Sequence, residues 1–209
     1  MDFLLTVFTT LVVVIDPVGI APIFIGLTAN AGEAQRRSMA LRGVTLAAIV
    51  LYAFAAGGTL LLETLGVSLA AFRIAGGILL FLLAVDMILV RTTGLRSATG
   101  EEQEEARNVE DISVFPLAIP LLAGPGAMTS MVLLMGRAGD DFPRIGAVLG
   151  MLALVLFLCL LTLLFANYLT RVLGVTGANV IGRVLGIVLA ALAVQFVLDG
   201  MGGTGLLGG

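Results

Sequence analysis

Six apolar runs, at residues 3–28, 43–62, 69–90, 112–136, 145–166 and 180–198, constrain this chain more than any other feature. Each is close to the roughly 20 residues a helix needs to cross a bilayer's hydrocarbon core. Hydrophobic residues make up 59% of the sequence and charged ones 12%, which leaves too little polar surface to cover a water-soluble globule. None of the runs alternates polar and apolar residues as the strands of a membrane barrel do. The expectation is an all-α membrane protein of six transmembrane helices.

The same composition excludes several chemistries. There is no histidine, so the commonest metal ligand and neutral-pH proton carrier is missing, and the single cysteine, Cys159, sits inside an apolar run. No GxxxxGK[ST] loop occurs, and no Ser/His or metal-ligand constellation is visible, so neither an enzyme nor a bound cofactor or metal is expected. The net charge of −3 comes mainly from one acidic loop, and no basic patch suggests nucleic acid. The opening MDFLLTV lacks a basic segment, so the first run reads as a retained span rather than a cleavable signal.

Every basic residue is arginine, and loops rich in basic residues stay in the cytoplasm. With both termini outside, the cytoplasmic loops hold Arg36, Arg37, Arg42, Arg91, Arg96, Arg107, Arg171 and Arg183, eight of the eleven. The opposite side keeps Arg73, Arg137 and Arg144. Both termini are therefore expected on the periplasmic or extracellular side.

The two halves resemble each other. LGVSLAAFRIAGGILLFLLAVD (65–86) aligns with LGVTGANVIGRVLGIVLAALAVQ (173–195) with one insertion, so that Gly77 meets Gly186 and Ala84, Val85 and Asp86 meet Ala193, Val194 and Gln195. At the earlier offset Asp16 and Pro17 fall on Gly124 and Pro125. Each half carries three spans, an odd number, so the second must enter the membrane inverted: repeat one is 1–90, repeat two 112–209, and the acidic stretch 91–111 joins them as a cytoplasmic linker. That linker reads as a solvated connection, with a regulatory role as the alternative.

Helix 1 is expected to break at 16–19 and helix 4 at 123–126. Asp followed by Pro is a helix-start signal, because the carboxylate accepts the free N–H groups of the next turn and proline suits the first helical position. Asp16 and Pro17, with Gly19, so begin a second half-helix; Gly124 and Pro125 do the same with no side chain to fill the cap. Paired Gly/Pro interruptions in inverted halves point to a substrate site near the midplane. A bare helix N-terminus is a natural carboxylate site, and Gly126, Thr129 and Ser130 stand within a turn of it. One open positive end beside one fixed carboxylate would suit a zwitterion, with its carboxylate near Gly126 to Thr129 and its ammonium near Asp16. Gln195 joins the candidate binding set, and Asp16 and Asp86 are the candidates for a coupling proton or sodium ion. The plainer alternatives are that Asp16 only caps, that Asp86 pairs locally near the interface, and that Gln195 bonds between helices. Gly57–Gly58, Gly76–Gly77, Gly146 and Gly150 read as close-packing glycines, which serve a homo-oligomer as readily as a single subunit.

Three ordered motifs, DPVGIAPIF (16–24), AGPGAMTS (123–130) and RVLGIVLAALAVQFVLDG (183–200), resemble the MarC family of bacterial inner-membrane proteins, within the LysE-type transporter group. The resemblance covers nearly the whole chain. It implies six spans, an inner-membrane location and a transporter of small neutral amino acids. A channel or membrane scaffold without active transport, or an exporter of another small solute, is the competing reading.

Overall fold

The computed structural model describes residues 2–89 and 111–203, and among these every regular element is helical. In chain order they are α1 (Asp2–Ile15), α2 (Pro17–Leu27), α3 (Glu33–Thr64), α4 (Leu69–Leu89), the loosely wound α5 (Ser113–Leu122), α6 (Pro125–Ala138), α7 (Phe142–Leu164) and α8 (Ala166–Gly203). Except for Asp111, the linker 91–111 lies outside the described residues. Among the described residues, five stretches are long and apolar enough to cross a bilayer, the first being Phe3–Leu27, and a sixth forms if α5 and α6 count as one span bent by 53°. The chain is a multi-span helical membrane protein. The side of the bundle bearing residues 28–32, Leu89 and Asp111 is termed the linker side, and the side bearing 65–68 and 139–141 the terminus side.

The two broken spans differ in kind. In span one, Asp16 interrupts the helix at a single residue, in a left-handed conformation (φ 47°, ψ 69°) that aspartate tolerates better than aliphatic residues do. In span four the first half is itself irregular. Pro116 and Pro120 have no N–H to donate, and the residues before them, Phe115 and Ile119, are extended, as the proline ring demands. The coil widens to five-residue hydrogen bonds, from Leu117 N–H to the Ile112 carbonyl (3.1 Å) and from Ala123 N–H to the Ala118 carbonyl (2.8 Å). Sequence reading placed a break at 123–126 but did not anticipate this unwinding, whose signal was the pair of prolines four residues apart.

Glycines set the packing. A side chain on Gly43 of α3 would collide with Leu117 of α5, one on Gly58 with Val132 of α6, and one on Gly76 of α4 with Thr129 of α6. Helix α8 is kinked at Gly174 (φ 64°), and beyond the kink its residues 186–203 run antiparallel to α4, in contact through Gly77, Gly186 and Gly200. Gly57, Gly146 and Gly150, expected to pack in the same way, meet nothing within 4 Å. They lie on outward faces of α3 and α7, beside exposed apolar residues such as Leu60 and Phe157 that suit lipid.

Candidate functional site

The first break closes on itself. The Asp16 carboxylate accepts a hydrogen bond from the Gly19 N–H at 3.0 Å, Pro17 occupies the first helical position, and the Asp16 side chain is buried. A Cβ on Gly19 would collide with that carboxylate, so glycine is required there to admit the cap. Asp16, Pro17 and Gly19 form one capping unit, and in this conformation none of the three lines the pocket at the other break.

The second break is open. Gly124 precedes α6 in an extended conformation (φ −75°, ψ 171°), and it is glycine for want of space: a Cβ would collide with the Pro120 carbonyl. Pro125 begins α6 and no side chain caps it. The N–H groups of Gly126 and Ala127 have no intrahelical acceptor by position. They stand at a small, half-open pocket lined also by Val14 of α1, Leu79 and Leu83 of α4, and Pro120. Val14 is in the last turn of α1, where carbonyls lose their intrahelical partners. A partly negative helix end and a partly positive one therefore meet at one apolar cavity.

The remaining candidates disperse. Thr129 is turned to Gly76, and Ser130 is fully buried with a hydroxyl that has no hydrogen-bond partner among the described residues. Gln195 is committed elsewhere: its amide donates to Asp199 at 2.7 Å, Asp199 pairs with Arg137, and the Arg137 guanidinium lies 4.9 Å from the Phe196 ring centre. That network joins α8 to the far end of α6, away from the pocket. Asp86 is half-buried near the linker end of α4 and is also absent from the lining. Sequence reasoning missed Val14, Leu79, Leu83 and Pro120. Of these Val14 and Pro120, each shortly before a break, had a local signal.

A second cavity of about 450 Å³ lies on the linker side, among Phe24, Glu33, Arg36, Arg37 and Asn167. Arg36 closes the end of α2 by donating to the carbonyls of Thr28 (2.9 Å) and Ala29 (3.3 Å). These are charges at span ends rather than at the breaks.

Comparison with known sequences bears on the identity of this arrangement. The profile of the MarC family integral membrane proteins matches residues 1–204. The chain belongs to the MarC family. A family member from Archaeoglobus fulgidus, a UPF0056 membrane protein, is 40% identical over 201 residues, 96% of this chain and 93% of its own. UPF0056 membrane protein YhcE of Escherichia coli is 38% identical over 94% of this chain and 90% of its own length, and YvbG of Bacillus subtilis 35% identical over 99% and 95%. Relatives in archaea extend the MarC family beyond the bacterial inner membrane that the motifs suggested. No solved structure matches the chain.

Proposed function

We propose that this MarC protein is a secondary transporter of small neutral amino acids or similar small zwitterionic metabolites, working by alternating access and coupled to a proton or sodium gradient. One observation carries the reading: the uncapped N-terminus of α6 and the last turn of α1 meet at an apolar pocket at the break of span four. The N–H groups of Gly126 and Ala127 would hold the carboxylate, since a helix start favours an anion. The ammonium would turn toward the carbonyl end of α1 and the Asp16 carboxylate just beyond it, and Leu79 and Leu83 would take a short apolar side chain. Discontinuous helices of inverted halves are where transporters place such sites, and rocking of one half against the other would expose the pocket to each side in turn. Asp16 and Asp86 are the coupling-ion candidates, no step of the cycle calls for a bound cofactor, and the arginine-rich loops face the cytoplasm.

The test is uptake and efflux of labelled glycine, alanine and larger amino acids in proteoliposomes, with and without proton and sodium gradients. Saturable, gradient-dependent movement of the smallest amino acids is expected. Movement of none of them, or linear movement indifferent to gradients, rejects the reading in favour of a channel or scaffold. A reporter fused after Gly209 should be active only outside the cytoplasm.

A further inference from the structure

Two buried hydroxyls lie one helical turn beyond the pocket, on the faces of α1 and α6 that line it. Val14 and Gly126 line the pocket from opposite helices, and a Cβ on Gly126 would stand 3.6 Å from the Val14 side chain. Residues four apart share a helix face. Thr10 lies four residues before Val14 on α1, and Ser130 four after Gly126 on α6. Spans one and four cross in opposite directions, so the step back along α1 and the step forward along α6 move the same way, about 6 Å toward the terminus side. Thr10 and Ser130 are thus placed at one level of the same seam.

Both side chains are fully buried, and neither hydroxyl has a hydrogen-bond partner among the described residues. Other hydroxyls in these helices show what a purely structural one does. Thr9, Thr28, Thr45, Thr64, Thr162 and Thr170 each donate to the carbonyl four residues earlier, at 2.6–2.9 Å. That option needs no neighbour and removes the penalty of burying an O–H among apolar groups. Thr10 and Ser130 do not take it, although valine or alanine would fill the same space without a polar atom.

We propose that Thr10 and Ser130 form a second binding station for the carboxylate of the transported solute, one helical turn beyond the pocket. The solute's route to the terminus side then follows the α1–α6 seam. This rests on the transport reading above. A hydroxyl can donate to a carboxylate that leaves the N–H groups of Gly126 and Ala127, and being uncharged it releases the group again. Thr10 then belongs to the functional set although it precedes the DPVG motif and carries no sequence signal of its own.

Two experiments test the station. In a Cys159→Ala background, Thr10→Cys and Ser130→Cys are placed singly in proteoliposomes and exposed to a small membrane-impermeant methanethiosulfonate. Both thiols should react despite their burial, several-fold more slowly with saturating glycine. A folded variant whose thiol is inert, or reacts at a rate glycine does not change, overturns the proposal. In the second, Thr10→Val combined with Ser130→Ala should raise the thermal midpoint while uptake falls about tenfold, a barrier increase equal to one factor of ten. Unchanged uptake, or a lowered midpoint, means the hydroxyls are structural and overturns it too. Failure of the transport reading looks different: the unmodified protein would then neither bind nor move any amino acid, whatever the thiols do.

Discussion

Gly77 of α4 faces the carbonyl oxygen of Ala193 on α8, so closely that a Cβ at position 77 would lie 2.7 Å from it. The relationship is reciprocal. Gly186 of α8 faces the carbonyl of Ala84 on α4, where a Cβ would lie 3.1 Å away. Gly77 and Ala84 are the positions that the internal repeat matches to Gly186 and Ala193. Two equivalent residues on antiparallel helices, each seated on the other's partner, are what a two-fold axis across the helices produces, as at an isologous interface. Helices α4 and α8 meet on that axis.

Alanine at these crossing glycines should loosen the bundle. Gly77→Ala must push apart two backbones and is expected to lose about 1–3 kcal/mol, as overpacked cores do. Gly186→Ala, with the slightly greater clearance, should lose less. The midpoint of thermal unfolding in detergent reads both, and neutral behaviour at position 77 would mean the helices are not in tight contact there.

The outward glycines should behave in the opposite way. Gly57, Gly146 and Gly150 meet nothing within 4 Å, so only their poor helix propensity remains. Alanine at each should raise stability by up to about 1 kcal/mol. A loss at any of the three would show that another surface, such as a second copy of the chain, packs there.

How legible the fold was follows from which forces act locally. The spans were readable because burial in lipid demands long apolar runs, and both half-helix starts because Asp-Pro and Gly-Pro are local cap chemistry. The site was only half readable. Gly124, Pro125 and Gly126 reach the pocket because the break itself makes it, but Leu79 and Leu83 arrive from α4 through tertiary packing, which no motif encodes. The repeat matched Gln195 to Asp86, and Gln195 was a candidate for the binding set, yet the Asp199 carboxylate one turn away claims its amide. A matched position carries over backbone placement, not side-chain partners.

At the first break, charge and capping separate by substitution. Asparagine caps about as well as aspartate, so Asp16→Asn should keep the fold, whereas Asp16→Ala should lose about 0.5–2 kcal/mol. Gly19→Ala should be worse than either, because its methyl would displace the carboxylate from the N–H it accepts. Unfolding midpoints rank the three. An Asp16→Asn protein that is folded but indifferent to ion gradients would give the carboxylate a coupling role besides its cap.

Asp111 makes the linker-side start of α5 sensitive to acid. Its carboxylate accepts from the Ser113 backbone at 2.9 Å and pairs with Arg42 at 2.9 Å; bonding to Ser113 first, with Arg42 adding, holds its pKa below the ordinary carboxylate value. A depressed pKa contributes stability that is present above the unfolded value and is lost as pH falls through the folded one. The contribution is small, because both side chains are exposed. The expected observable is local: hydrogen exchange near Ser113, corrected for intrinsic rate, should lose protection on acidification. Asp111→Asn should abolish that pH dependence.

On the terminus side, Arg137 of α6 and Asp199 of α8 are joined with their side chains only 25% and 27% exposed. Gln195 holds the second carboxylate oxygen, and the Phe196 ring lies under the guanidinium. Removing one partner leaves the other charge poorly hydrated, so Asp199→Asn or Arg137→Gln alone should lose about 1–3 kcal/mol. The double substitution should lose less than the sum, with a coupling of at least about 0.5 kcal/mol, since the two share one network. Gln195→Ala removes a hydrogen bond but strands no charge on its own, and should lose only about 0.5–1.5 kcal/mol. It also decides between the two roles open to this residue. Gln195→Ala should leave solute affinity at the α6 pocket unchanged while lowering the unfolding midpoint; a loss of affinity at unchanged stability would return Gln195 to the binding site.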